Sequence, residues 1–447
     1  MTLYDGVIGA DEPALNKFVQ SVYEALHDVA FKGTVTLPKP QVGVSAISYD
    51  VASAPQISLS PSALVQQRYR AMFTAMNVPA GSLDNAAAAQ SQASLGLTIE
   101  TLNVAVDHAD GTAPNEFQAS VQAGVEVTVE TAGVMTVSVT TLEINVPGDP
   151  VLSELINQLL VPELIGMINM FLEPVQIPPL GLGAVQMSPP TVGTGDGRLL
   201  ATTALAPAVP EAAPLQGGWP QQVAFAAVDT ALLDALLDAA TAGKPIQGHW
   251  QKTYQFWPFS LTVNADYSAT VSQFAVNFVP GQNGRLQGTA QIHGTIHLWG
   301  KLFSITANLS ATPTVQATAS IFGNELLIKL DSLDNVTVTL DIHNLPSILD
   351  GVITDIVNAL GAQISAALTP VIAALPPQPI TKIPSIPITV KDETVVITLQ
   401  NLGITTIQTQ DGKTLLAMSG AANVVVNPPM PQHIANIERM QLTTAGA

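Results

Sequence analysis

The stretch Asp196-Gly197-Arg198-Leu199-Leu200-Ala201-Thr202-Thr203 returns near the far end of the chain as Asp411-Gly412-Lys413-Thr414-Leu415-Leu416-Ala417-Met418-Ser419. Each copy joins an Asp-Gly turn, the strongest short hairpin signal, to an apolar run. A second pair lies upstream at nearly the same separation. Ala14-Leu15-Asn16-Lys17-Phe18-Val19 follows the apolar run Val7-Ile8-Gly9-Ala10, and Ala231-Leu232-Leu233-Asp234-Ala235-Leu236 follows Ala224-Phe225-Ala226-Ala227. Two matches at one spacing indicate an internal duplication, which governs every later reading.

Between these markers the parts keep one order. Each half opens with a short helix, whose apolar stripe in the first copy is Leu15, Phe18, Val22 and Leu26. Alternating strands follow. Val121, Ala123, Val125, Val127 and Val129 interleave with Gln122, Gly124, Glu126, Thr128 and Glu130, and the chain returns through Met135 to Val146 after Ala132-Gly133. Phe303, Ile305, Ala307 and Leu309, then Val336, Val338, Leu340 and Ile342, repeat the pattern in the second half. Period two gives each strand one wet face and one buried face. Uninterrupted runs of ~10 residues span ~33 Å, beyond the usual length, so such strands must twist and coil. A long amphipathic helix is expected over 152–172 and over 347–375. A Pro-Ile stretch follows each, at 175–180 and 380–387, and the Asp-Gly hairpin closes the half.

The expected fold is α+β. Two tandem repeats each form a long, highly twisted antiparallel sheet, a half-barrel, wrapped around a long amphipathic helix in an elongated pseudo-two-fold molecule. The first repeat covers 1–205, with a helical insertion at about 60–95 that begins with Ser60 as N-cap and Pro61 as first helical residue. Residues 206–222, with Pro207, Pro210, Pro214 and Pro220, read as an extended connector rather than core. The second repeat covers 223–430 and a tail covers 431–447.

Composition narrows the function. Of 447 residues, 47% are hydrophobic and only 11% charged, against about a quarter charged in ordinary domains. Thirty-four acidic groups against fifteen basic ones give a formal charge of −19. That balance excludes a phosphate-binding Lys/Arg footprint, hence nucleic acid, and disfavours anionic headgroups. A lipid partner should be neutral or zwitterionic. The absence of cysteine rules out disulfides, thiolate nucleophiles and Cys-based metal sites. The start, Met1-Thr2-Leu3-Tyr4-Asp5-Gly6, has neither a basic n-region nor an apolar h-region. The expectation is a cytoplasmic protein, or one exported by a non-classical route.

One segment is long enough for a membrane span, Ile356 to Leu375, inside a charge-free stretch. Asp350, Thr354, Asn358, Ser365 and Thr369 fall on one side of this helix, and Val352, Ile353, Ile356, Leu360 and Ile364 on the other. This predicts a packing helix rather than a span, with Pro370 kinking the end so that Leu368 and Ile372 drift off the stripe. No Gly-x-Ser-x-Gly elbow, phosphate-binding loop or dinucleotide fingerprint is present. His293 and His297 lie in an alternating segment and so ~13 Å apart, too far to share a metal shell of ~2 Å radius. No catalytic residue, metal or cofactor is expected.

These helix openings, the Ile-Pro stretches at 177–180 and 383–387 and the hairpins at 185–203 and 397–419 resemble the tubular lipid-binding superfamily, which includes bactericidal/permeability-increasing protein. The resemblance covers nearly the whole chain in layout, and its apolar patterns are of moderate specificity. It implies an acyl chain held between helix and sheet in each half. The implied contacts are Leu15, Phe18, Val22, Leu155, Leu159, Ile165 and Ile168 in the first copy, and Leu232, Leu236, Ile356, Leu360 and Ile364 in the second. Each of these also fits plain core. The chain departs from the mammalian members in lacking their disulfide and their basic tip, so an antibacterial role is not implied. Bacterial relatives without signal peptides, some encoded beside clostridial neurotoxins, are more similar in charge and targeting. The expected function is binding and carriage of lipid or other long apolar ligands. The alternative is a structural or protein-interaction module of the same fold, for example within a toxin-associated complex, with no lipid.

Overall fold

The computed structural model describes residues 3–426 except 42, 91–93, 130–133, 148–149, 172–174, 177–179, 181–184, 257–258, 343–351, 384 and 391–392. Its central sheet is assembled from both ends of the chain. β1 (Gly6–Asp11) lies antiparallel beside β11 (Ala224–Val228), with Gly6 opposite Val228 and Ala10 opposite Ala224. Outside β1 come β10 (Arg198–Thr203) and β9 (Thr191–Gly195). Outside β11 come β22 (Thr414–Val426), β21 (Glu393–Gln408) and β20 (Ile386–Val390). The two hairpins flagged by Asp-Gly thus flank the two opening strands in the same way.

The helices after those strands repeat the correspondence. α1 (Glu12–Ala30) is capped by Asp11, whose carboxylate accepts the Ala14 N–H at 3.0 Å. α6 (Thr230–Thr241) is capped by Asp229, which accepts the Leu232 N–H at 3.1 Å. A carboxylate there satisfies an otherwise unpaired helix N–H and sits favourably against the helix dipole.

Two large curled antiparallel sheets flank the centre, and the fold is α+β. The first runs β2 (Lys32–Gln41), β3 (Val44–Val51), β5 (Ser94–His108), β6 (Asn115–Val129), β7 (Val134–Asn145), β8 (Val175–Gln176), with β4 (Gln56–Ser58) on β5. The second runs β12 (Ile246–Phe256), β13 (Phe259–Phe278), β14 (Arg285–Gly300), β16 (Thr314–Phe322), β17 (Glu325–Asp334), β19 (Gln378–Lys382). There β15 (Phe303–Ala311) pairs with β14 and with β18 (Val338–Asp341). At 20 residues, β13 is too long to stay flat, and it bulges between Ser272 and Ala275. Two α6 carboxylates serve the strand at this bulge. Asp234 accepts the Val276 N–H at 2.8 Å and Asp238 accepts the Phe274 N–H at 3.4 Å.

Four expectations change in detail. The helix over 152–172 is two helices, α4 (Pro150–Leu159) and α5 (Val161–Phe171), broken at Leu160. Pro162 has no N–H to offer the Gln158 carbonyl, and its ring crowds the preceding turn. The second long helix, α7 (Ile353–Ala374), runs on through Pro370, and Leu368 and Ile372 stay buried in line with Ile356, Leu360 and Ile364. Pro370 lies on the exposed face, where water can reach the carbonyl it leaves unpaired. The expected residues before Val352 lie outside the described ones.

The insertion is a helical hairpin, α2 (Ala63–Ala75) and α3 (Ala80–Gln90), capped by Ser62 rather than Ser60. The Ser62 N–H is held by Ser94 Oγ at 3.0 Å, which fixes the chain direction two residues later than the Ser-Pro signal suggested. The connector, finally, contributes to the core. Trp219 is 3% exposed, stacks on Phe225 at 5.5 Å and donates its Nε1–H to the Pro214 carbonyl at 2.9 Å.

Candidate functional site

The candidate residues separate by how tightly the sheet encloses their helices. In the second half α6 lies against β13 and β19, and α7 against β12, β17 and β18. Leu232, Leu236, Ile356, Leu360 and Ile364 are all 0% exposed and belong to one continuous cluster. A side chain with no accessible surface has no water-sized gap beside it. Pro376 and Leu375, past the end of α7, close over Leu237, Ala240, Ile328 and Leu330 with no room for a water molecule. Further back on α7, Gly361 lets the helix lie close to the Val336 carbonyl oxygen, from which a Cβ there would stand 3.0 Å.

The first half is looser. Of the described side chains on α1 only Ala14 and Leu26 are buried, while Leu15, Phe18 and Val22 are half-buried. On the broken helix Ile156, Leu160 and Leu164 are enclosed, and Leu159, Ile165 and Ile168 are half-buried. Leu155 lies on α4, and its side chain is outside the described residues. Leu15 from α1 and Ile165 and Ile168 from α5 converge on one cluster, whose floor is Leu59, Leu95, Val125, Val127 and Val139. Leu159 packs on a separate cluster around Ile144 and Ile156. Val22 packs against Leu26, with Val424 of β22 beside it. Leu15 of α1 and Ile165 and Ile168 of α5 thus form a partly exposed apolar strip over the first flanking sheet, the candidate groove.

Sequence reasoning passed over Met135, Val137, Val192 and Leu199, which meet the same cluster from β7, β9 and β10. Their alternation was legible. What was not legible is that the closing hairpin of the first half turns one face into this groove.

The most buried ion pair among the described residues lies at the centre instead. Lys413 Nζ stands 3.5 Å from Asp229 Oδ2, bonds the Tyr4 carbonyl and lies 4.2 Å from the Tyr4 ring centre. The Tyr4 hydroxyl donates to Asp411 at 3.0 Å. Burial pushes the Asp229 carboxyl well above the usual carboxylate range, and the neighbouring Asp5 adds to the effect while Lys413 opposes it. In the first half Arg198 faces Asp11 across the β1–β10 register. The two segments differ here: Lys413 reaches the acid that caps α6, whereas the Arg198 guanidinium donates to the Leu215 carbonyl at 3.1 Å and makes no ion pair with Asp11. Lys413, Asp229 and Tyr4 tie the centre together.

On the outer face of the second sheet His293 and His297 are both exposed, as their alternation required. Among the described residues no three His, Asp or Glu side chains are grouped to hold a metal ion. α7 alone among the described helices is long and apolar enough to cross a bilayer; its apolar stripe is buried against the second sheet.

No family model matches the sequence, and no curated protein matches it. Among solved structures, P47 of Clostridium botulinum E1 aligns over 95% of this chain and 100% of its own, at 9% identity and a TM-score of 0.43. P47 from Clostridium botulinum A2 aligns over 93% and 97%, at 10% identity and a TM-score of 0.41. A lipopolysaccharide binding protein aligns over 95% and 99%, at 12% identity and a TM-score of 0.32. Scores of this size leave the description of the fold resting on the chain's own strands and registers.

Proposed function

We propose that this chain binds a lipid or another long apolar ligand, neutral or zwitterionic, in the groove of the first half, and carries it without chemical change. The observation behind this reading is the contrast between α1 and α7. Both present an apolar stripe to a curled sheet, yet the α7 stripe is enclosed, whereas of the α1 stripe only Leu26 is buried and Leu15, Phe18 and Val22 stay partly exposed, as do Ile165 and Ile168 on the cluster that Leu15 joins. A soluble fold gains by covering such surface, and a long apolar ligand covers it at about 0.8 kcal/mol per methylene before the costs of association. In the second half an acyl chain could enter only if α7 lifted from its sheet. That favours a structural role for this half, where the fold's tube is filled with side chains.

Native mass spectrometry of the purified protein, with organic extraction of the same sample, tests the proposal. The expected result is co-purified lipid that is lost on Ile168→Asp and retained on Leu360→Ala. A bare mass, or lipid retained in Ile168→Asp at the original stoichiometry, overturns it.

A further inference from the structure

Among the described residues of the second half the α2–α3 hairpin has no counterpart. Its base is fixed to the outer face of the first sheet. Val65 is 0% exposed above Gly124, where an added Cβ would come within 2.6 Å of Val65 Cγ2 and 2.9 Å of Ser62 Oγ. Arg68 pairs with Glu126 at 3.3 Å, and an Arg70–Asp84 ion pair ties the two helices together. Beyond that pair, residues 71–83 carry no charge. Met72 is 42% and Met76 66% exposed, with Phe73 and Val78 half-buried beside them.

We infer that this tip docks the protein on the surface of a neutral or zwitterionic lipid bilayer. The inference goes beyond the cargo reading and does not depend on what the groove holds. Three observations support such a bilayer, and the second of them sets it apart from a protein partner. First, the turn pairs several of its own backbone groups. The Asn77 N–H bonds the Thr74 carbonyl and the Val78 N–H bonds the Phe73 carbonyl, each at 3.0 Å, with Asn77 at φ 58°. With the Met76 N–H on the Met72 carbonyl, this left-handed cap pairs three carbonyls of the last turn, which lowers the cost of placing the turn in an apolar medium. Second, the apolar surface at the tip is small, being confined to Met72, Phe73, Met76 and Val78. Four side chains on one turn fall well short of the roughly 800 Å² that a stable protein partner covers on each side, whereas a bilayer accepts an apolar wedge of any size. Third, a body of charge −19 is repelled by anionic headgroups, which favours contact through the uncharged tip with a neutral or zwitterionic surface.

The cysteine-free chain makes the test clean. Met76→Cys carrying an environment-sensitive fluorophore is mixed with phosphatidylcholine vesicles, with vesicles containing phosphatidylserine, and with no vesicles. Phe322→Cys, 75% exposed at a turn of the second half, is the control. The expected result is a blue shift at position 76 with phosphatidylcholine, a smaller one with phosphatidylserine and none at position 322. Met72→Ser with Met76→Ser should lower co-flotation with phosphatidylcholine vesicles several-fold. No shift at 76, equal shifts at both positions, or a shift that follows protein concentration without vesicles overturns the inference; the last would make a second copy of the chain the occupant. A vesicle-dependent shift in protein that carries no extractable lipid removes the cargo reading and leaves the docking tip standing. Extractable lipid with no shift does the reverse.

Discussion

Asp234 places a carboxylate against the bulge of β13, where it accepts the Val276 N–H at 2.8 Å. Burial, which penalises the charged form, raises its carboxyl to about 6, the Val276 bond opposes the shift and Asp238 adds to it. An acid whose folded value lies above its ordinary 3.8 holds its proton longer folded than unfolded. The stability it contributes is complete below about pH 4 and is lost as pH rises through about 6. For a fully enclosed group the difference is about 3 kcal/mol, and water on the open side of Asp234 reduces this to about 1–2 kcal/mol. Asp234→Asn keeps an acceptor for Val276 and removes the titration. Urea unfolding at pH 5 and pH 7.5 should show the wild type losing about 1 kcal/mol more than Asp234→Asn across that interval. Parallel losses in the two proteins would place the pH dependence elsewhere.

Among the elements, α7 and the pair α1 and α5 look alike in sequence and differ in what encloses them. Leu360 sits at 0% exposure in the main cluster, so Leu360→Ala should cost about 2–5 kcal/mol by transfer and cavity. Ile168 already meets solvent, so Ile168→Ala should cost about 1 kcal/mol. Denaturant midpoints of the two variants measure the difference, and equal losses would mean that the groove is as tightly packed as the second half. The stripes themselves were legible from period and spacing. Leu15, Phe18 and Val22 form a face as surely as Ile356, Leu360 and Ile364 do. Which stripe would be closed was not legible, because closure depends on long-range partners. Gly361 lets α7 approach the Val336 carbonyl, and Pro162 divides α4 from α5, so no unbroken helix matches α7 in the first half. The Asp-Gly turns announced both hairpins, although Asp196-Gly197 makes a tight turn with φ of 48° and 68° while the second loop runs from Thr409 to Lys413. The connector's prolines hid the burial of Trp219, since composition marks where chain is extended and not what lies beneath it.

The whole molecule is held at a seam that belongs to neither half. β1 and β11 meet through Gly6 to Ala10 against Val228 to Ala224, a run rich in glycine and alanine whose backbones do most of the joining. The core beneath draws Tyr4, Val7 and Leu200 from the first half, Ala213 and Trp219 from the connector, and Phe225, Leu415 and Ala417 from the second. Lys413 reaches from the last hairpin to the Tyr4 carbonyl and to Asp229, so the ends of the chain are fastened to its middle. Separating the halves would expose two strand edges and open this core, and it would leave the Tyr4 carbonyl without Lys413. Each consequence disfavours folding alone, and bare strand edges invite aggregation. Residues 1–222 and 223–447 expressed separately should therefore aggregate, while co-expression with a tag on one should recover both as a stoichiometric, salt-resistant pair, because the sheet and its apolar core reform without help from surface charge. Two independently folded, monodisperse fragments would show that each half completes its own core, and the shared central sheet would then be an accessory rather than the foundation of the fold.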